Sequence, residues 1–471
     1  MVGPGEIRSL ETEVAIVGAG MAGLSAALEL QRANRDFVVL EARERVGGRL
    51  ESVQVGDAWI DVGGQWVGPT QDRLYGLARA RGAEIFPTWI AGENIVELRG
   101  RLTRYTGTIP RLRPHVMADI GQAMLRLDRM AAKVPVEAPW TAARAKVWDS
   151  QTVWSWMRRN MATRGGREML ELAVKAVWAA TPADVSLLHM LFYIASAGNF
   201  DLLLDTDGGA QQDRFVEGTG NLARRIGEGL GEQLVLGAPV RRIEWTADGV
   251  RVTADGVDVR ARRVIVAIPP TLAGRIAYDP PLPGYRDQFT QRMPMGAVIK
   301  CFAIYDEPFW RAQGISGSAV SGTGPLTLTV DNSPPSGSPG ILVGFLEGDH
   351  ARTFGRVPAE QRRAAVMKNL VQLFGPRAGQ PDGWIEKLWA EEEWSRGCYE
   401  GYTPPGVLTA FGPALREPIG PIHWAGTETA TKWNGYIDGA LQSGERAVRE
   451  VLAQDPAAVE DVEYQAGYAR T

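Results

Sequence analysis

Six residues near the start of the chain, G-A-G-M-A-G at 18–23, offer the first recognisable chemistry. Glycine at Gly18, Gly20 and Gly23 permits a tight turn and lets backbone N–H groups approach a pyrophosphate at a helix N-terminus. A Gly-rich turn alone says little. Here it follows the apolar run V-A-I-V and opens a helical pattern. Glu41 closes the next apolar run, F-V-V-L-E, where a carboxylate accepts hydrogen bonds from an adenosine ribose. That context marks a dinucleotide site and leaves NAD and FAD both open. The following stretch, A-R-E-R-V-G-G-R, adds further glycines, among them Gly48, and two arginines, Arg43 and Arg49, whose guanidinium groups suit phosphate. The plainer reading of those charges is a solvated run.

A second candidate is Lys300, set in the period-two strand A-V-I-K-C-F-A-I-Y. An interior lysine needs a partner or a shifted pKa, and the alternative is a lysine snorkelling at a strand edge. Cys301 then points to the opposite face and reads as an inert core thiol. The other of the two cysteines, Cys398, stands in S-R-G-C-Y. With four histidines in the whole chain a metal cluster has little support, and His423 reads as structural.

These residues need elements to position them. A chain of 471 residues exceeds one ordinary domain. Strand patterns dominate to about residue 90, amphipathic helical patterns from about 90 to 215, and strands return from about 215. The loop P-P-S-G-S-P-G at 334–340 has strand-like sequence on both sides. A net charge of -4, with both signs interspersed, gives no footing for nucleic acid or an anionic membrane. There is no run of about 18 apolar residues to span a bilayer. The start has no apolar signal segment behind a basic stretch, and two cysteines allow at most one bridge, which points to a reducing, cytoplasmic compartment. The tail at 456–471 is polar and acidic, a composition suited to disorder.

The nucleotide motif resembles that of the two-dinucleotide-binding-domain flavoproteins. D-V-G-G-Q-W-V-G-P-T-Q at 61–71 and W-A-G-T-E-T-A-T-K-W-N-G-Y-I-D-G-A at 424–440 resemble signature segments of the flavin-dependent monoamine oxidases, in their soluble bacterial form. P-A-D-V-S, P-P-T-L, V-I-K-C, E-P-F-W-R and G-C-Y extend the likeness from about residue 10 to 452. The resemblance implies an α/β fold with amine oxidase architecture. A discontinuous, Rossmann-like FAD domain would take 10–90, 215–295 and 395–455. An α+β substrate domain would take 91–214 and 296–394.

It also implies residue roles. Tyr399 and Tyr436 match the two aromatic residues that flank the amine before the flavin as a cage; each alone would read as a core aromatic. Lys300 matches the lysine that holds a water against flavin N5. FAD contacts carry over to Gly18, Gly20, Gly23, Glu41, Ala42, Arg43, Gly48, Arg49, Gly63, Gly64, Gln65, Trp66, Val240, Trp389, Cys398, Gly426, Thr427, Glu428 and Ile437. Trp66 departs from the family, where many relatives carry tyrosine. Cys398 matches the cysteine that carries FAD through a thioether in the membrane-anchored members; many soluble relatives bind FAD without that bond, and a free packed thiol is the alternative. The substrate side draws on Phe200, Leu203, Gln211, Leu328 and Phe345, an apolar set that favours an aryl-alkyl or cycloalkyl monoamine over a diamine. The implied reaction passes hydrogen from the amine α-carbon to the flavin and electrons to O2, yielding imine, then aldehyde or ketone, hydrogen peroxide and ammonia. A homodimer is the default assembly. The alternatives are an amino-acid oxidase, which would place an arginine toward the carboxylate, a biosynthetic amine desaturase, and a non-catalytic flavoprotein scaffold.

Overall fold

The computed structural model describes residues 7–107, 110 and 112–453, so the tail assigned to 456–471 lies outside the described residues. The chain divides into two compact units. One combines residues up to Gly48 with Ala223–Gln291 and the chain from Pro413 onward, and the other combines Arg49–Leu222 with Arg292–Gly412.

The first unit is built on an eight-stranded sheet. Arg8–Val17 lies parallel between Phe37–Leu40 and Val257–Val266, and Ile422–Trp424 pairs parallel with the last of these. Val14, Ala15, Ile16 and Val17 are all buried, as are Phe37, Val38, Val39 and Leu40, which is the continuous apolar signature of central parallel strands. An antiparallel meander, Val240–Trp245, Val250–Ala254 and Val257–Val266, extends the sheet, and Leu234–Val235 and Ala277–Asp279 pair parallel at its two edges. The helices Met21–Arg32 and Ile437–Ala453 pack together. Their approach is so close that a Cβ on Gly444 would lie 2.4 Å from the carbonyl oxygen of Ala22.

The second unit carries a seven-stranded sheet in the order Gly383–Leu388, Val298–Tyr305, Gly340–Glu347, Leu328–Asp331, Ile315–Ser321, Glu93–Leu98, Arg101–Tyr105. Val298–Tyr305 and Gly340–Glu347 are buried along their whole length. On one face Ile299, Cys301, Ala303 and Tyr305 meet Val366, Leu370 and Leu373 of the helix Ala359–Phe374. On the other, Val298, Phe302, Val343 and Phe345 meet Ile60, Val62, Trp389 and Cys398. Cys301 thus faces away from Lys300, as strand alternation requires. The 334–340 loop joins two adjacent strands of this sheet. The amphipathic segments become the helices Pro114–Ala131 and Arg164–Trp178.

One sequence expectation is corrected. Residues 93–105 are a β-hairpin and not part of the helical region: N-I-V-E-L and R-L-T-R-Y alternate around Arg99 and Gly100, whose φ of 56° and 78° make the tight turn that suits strand twist. The compact units are divided differently from the expected FAD and substrate domains, with 49–90 and 395–412 in the second unit. The hairpin Ser52–Val55/Ala58–Asp61 is tied there through Asp61, which accepts from the Thr219 N–H. The G-C-Y segment is tied by the Gly296 N–H donating to Glu400 O and the Cys398 N–H donating to Gly296 O. Among the described residues no helix is long and apolar enough to cross a membrane.

Candidate active site

In the first unit the nucleotide motif forms a cradle. Gly18 adopts φ 98°, and a Cβ on Gly23 would sit 1.9 Å from Gly18 O, so the turn closes only with glycine. A Cβ on Gly20 would meet nothing within 4 Å, leaving space directly before the helix. Met21–Arg32 has no side-chain cap and no acidic residue in its first turn, so its N-terminal N–H groups suit an anion. Glu41 is buried; Oε2 accepts the Ala19 N–H at 2.7 Å and Oε1 the Arg43 N–H at 2.9 Å. A carboxylate offers about four lone-pair sites, so capacity remains for ribose hydroxyls. The Arg43 guanidinium stands 3.8 Å from Glu41, and Gly48 backs onto Gly20. Ala42 and Val240 are half-buried nearby in sequence and sheet. This donor set fits a dinucleotide.

The same unit holds the C-terminal motif. The Gly426 N–H donates to Ser443 Oγ, Thr427 Oγ1 to Tyr436 O, and Asn434 Nδ2 to the carbonyls of Thr427, Glu428 and Ala430. These bonds knit Gly426, Thr427 and Glu428 to the turn that precedes Ile437–Ala453. The Tyr436 ring meets Trp433 edge-on at 4.9 Å. His423 lies against Glu450 in this unit, in keeping with a structural role.

In the second unit the sheet face and the 61–66 turn converge on Lys300. Its Nζ donates to Asp61 O at 2.7 Å, to Gly63 O at 2.8 Å and to Gln65 Oε1. The rings of Trp66, Phe302 and Phe345 lie 5.8, 5.3 and 5.4 Å from it. Burial pushes the Lys300 pKa down to about 7, against the pull of Asp61. The lysine is therefore a buried group with named partners, and the snorkelling alternative is excluded.

The turn itself is held from several sides. Asp61 accepts from Ser52 Oγ and from Thr219, Gly64 O accepts from Thr219 Oγ1, Gly64 N donates to Arg49 O, and Trp389 Nε1 donates to Val62 O. Gln65 Nε2 donates to Asn332 Oδ1, and Arg214 donates to the carbonyls of Asn332 and Ser333.

Strand register places Phe345 opposite both Lys300 and Leu328. Trp66 stacks on Phe345 with centroids 6.0 Å apart, and Tyr399 meets Phe345 at 6.5 Å and 64°. Cys398 and Trp389 belong to the same apolar group. Arg49 Nη1 donates to Tyr399 O, and the Tyr399 hydroxyl donates to Glu347 Oε1 at 2.7 Å. Thus Gly63, Gly64, Gln65, Trp66, Lys300, Leu328, Phe345, Trp389, Cys398 and Tyr399, scattered over more than half of the sequence, form one cluster. Phe200 packs on Trp178 at 6.4 Å, and Gln211 Nε2 donates to Leu203 O.

Sequence reasoning missed Glu347, Asn332 and the buried role of Arg214. Glu347 had a signal, since it is the one charged residue closing the otherwise uncharged strand G-I-L-V-G-F-L-E. Asn332 and Arg214 had none, because their partners, the Gln65 side-chain amide for Asn332 Oδ1 and the carbonyls of Asn332 and Ser333 for Arg214, lie more than a hundred positions away.

A parallel sheet with a glycine cradle, joined in one chain to a buried lysine among aromatic rings, defines a dinucleotide-dependent oxidoreductase. The family model described as flavin containing amine oxidoreductase matches residues 21–452. A Mycobacterium tuberculosis protein named as a flavin-containing monoamine oxidase, AofH, is 43% identical over 94% of this chain and 96% of its own. The amine oxidase [flavin-containing] B of Sus scrofa is 37% identical over 94% and 86%. Among solved structures, putrescine oxidase bound to putrescine matches with a TM-score of 0.92 at 34% identity over 95% of this chain and 100% of that one. Cyclohexylamine oxidase from Brevibacterium oxydans matches at 0.89 and 32% over 93% and 98%. The chain belongs to the flavin-containing amine oxidoreductases. It is a flavin-containing amine oxidase of monoamine oxidase type, and its cofactor is FAD.

Proposed function

We propose that the enzyme oxidises a hydrophobic monoamine, of aryl-alkyl or cycloalkyl type, at the carbon beside nitrogen: amine, O2 and water become aldehyde or ketone, hydrogen peroxide and ammonia. The observation that carries this reading is the sheet face of Lys300, Phe345 and Leu328, covered by Trp66 and Tyr399. Bound FAD supplies the two-electron acceptor and delivers those electrons to O2. The protein's part is to bind, orient and exclude water. Aromatic and aliphatic walls favour the uncharged amine, whose lone pair the reaction needs, because burial disfavours a cation. Tyr399 and Tyr436 keep the roles that the family resemblance implies, aromatic surfaces toward the amine. Lys300 keeps the water-holding role that the family resemblance implies: its ammonium spends all three protons on Asp61 O, Gly63 O and Gln65 Oε1, so it accepts from a water only as the neutral amine, a form that a pKa near neutrality keeps populated.

The acidic groups of this cluster are committed within the protein. Asp61 serves Ser52 and Thr219, and Glu347 serves Tyr399. With leucine at 328, that leaves a second ammonium without a counter-ion and favours a monoamine over a diamine such as putrescine. Arg214 is likewise committed, to two carbonyls, which weighs against an amino-acid oxidase. Phe200, Leu203 and Gln211 line the substrate side in this reading. Cys398 carries FAD through a thioether. A panel of aryl-alkyl and cycloalkyl amines, diamines and amino acids, with peroxide measured under oxygen, tests the proposal. Turnover of the first group is expected, and preference for diamines or amino acids would overturn it.

A further inference from the structure

We infer that Glu347 is a positioning residue for amine oxidation: its carboxyl fixes the phenol of Tyr399 and, through it, the set of the aromatic ring. The inference rests on the reading of Tyr399 as a ring that faces the amine. Side chains at 341, 343, 345 and 347 share one face of the strand Gly340–Glu347. Phe345 stands opposite Lys300, and Glu347 stands opposite Val298 two pairs further along, on the same face. Glu347 is fully buried on a face otherwise made of valine, isoleucine and phenylalanine. Leucine would fill that place without the cost of desolvating a carboxyl, so packing does not explain the acid.

What the acid does is visible at Tyr399. That residue lies outside any helix or strand, where a half-buried ring can turn about both side-chain bonds. It is held at two ends: Arg49 Nη1 donates to its carbonyl at 2.8 Å, and its hydroxyl donates to Glu347 Oε1 at 2.7 Å. Phe345 fixes the tilt between them at 64°. The groups facing the carboxyl are the Tyr399 and Thr327 hydroxyls and, at longer range, Lys175, whose ammonium is paired with Glu171 and Asp349. Burial raises the Glu347 pKa to about 8, so a neutral acid, which accepts the phenol without placing a full negative charge beside the apolar face, prevails at neutral pH.

The test compares wild type, Glu347→Gln, Glu347→Leu, Tyr399→Phe and the double variant Glu347→Leu/Tyr399→Phe as FAD-loaded enzymes. The readouts are steady-state kinetics on the best monoamine, flavin content and thermal midpoint. Glu347→Leu is expected to lower kcat by about tenfold or more with KM changed by less than about threefold, since a misplaced group costs rate before it costs binding. Glu347→Gln keeps an acceptor for the phenol and is expected to recover kcat to within about threefold of wild type. In the Tyr399→Phe background the Glu347→Leu loss should shrink to less than about twofold, because the two act as one unit. An unchanged kcat in Glu347→Leu, a glutamine variant as slow as the leucine one, or a Glu347 effect that persists in full without the phenol would each overturn the inference. If Glu347→Leu does not fold, the glutamine variant with Tyr399→Phe still decides it, since a tenfold loss in the glutamine enzyme contradicts a positioning role. Wild type without amine turnover would overturn the functional reading itself, and this inference with it; active wild type with an indifferent Glu347 removes the inference alone.

Discussion

Lys300 is held by three oxygen acceptors and ringed by three aromatic side chains, yet burial lowers its pKa to about 7. An ordinary lysine keeps its proton to about 10.4. Between those values the native state binds fewer protons than the unfolded chain, so this group's contribution to stability rises with pH from about 7 upward and is flat below it. Thermal midpoints of wild type and Lys300→Met, taken from pH 6 to 9, should diverge in favour of wild type above about pH 7. The same substitution is expected to slow flavin reduction or reoxidation about tenfold or more, measured by stopped flow, because general acid–base assistance typically supplies that much. Leu328→Glu places a carboxyl opposite Phe345 and should shift relative kcat/KM toward diamines by about tenfold, the worth of one modest charge-assisted contact.

At the scale of elements, what was legible was local and what was not was assembled. The strand, turn and helix around Gly18, Gly20 and Gly23 stand in the sequence as they stand in the structure, because the chemistry of the turn depends on neighbours a few residues away. Gly23→Ala is expected to forfeit most bound FAD, read as the flavin-to-protein absorbance ratio after purification, since its Cβ has no room beside Gly18 O. The alternation in A-V-I-K-C likewise foretold that Lys300 and Cys301 face opposite ways. The hairpin at 93–105 was lost because its strands border a helical region, and the antiparallel pairing of Asn94–Leu98 with Arg101–Tyr105 around the positive φ angles of Arg99 and Gly100 reveals it. The hydrogen-bond frame of Gln65, Asn332 and Arg214 was illegible for a different reason: its partners, a side-chain amide and two backbone carbonyls, are brought into reach by the fold from more than a hundred positions away. Glu347 fell between these cases, visible as an oddity within its strand and interpretable once the Tyr399 hydroxyl was seen to end on it.

Across the whole molecule, the glycine cradle and the Tyr436 turn fall in one compact unit, and Lys300, Tyr399 and Cys398 in the other. One chain must therefore thread between them several times before either is complete, which is why motifs far apart in sequence have to be read together. If Cys398 carries FAD, acid precipitation should leave the pellet yellow and the supernatant clear, and Cys398→Ala should release the colour; yellow supernatant from wild type contradicts the bond. Oxidation of a hydrophobic monoamine is measured most directly by anaerobic mixing of the purified holoenzyme with aryl-alkyl or cycloalkyl amines while the flavin absorbance is followed. The expected result is bleaching by these amines, recovery on admitting oxygen, and one equivalent of peroxide per equivalent of aldehyde or ketone. Flavin that stays oxidised with every hydrophobic monoamine, or bleaches faster with a diamine or an amino acid, would contradict it.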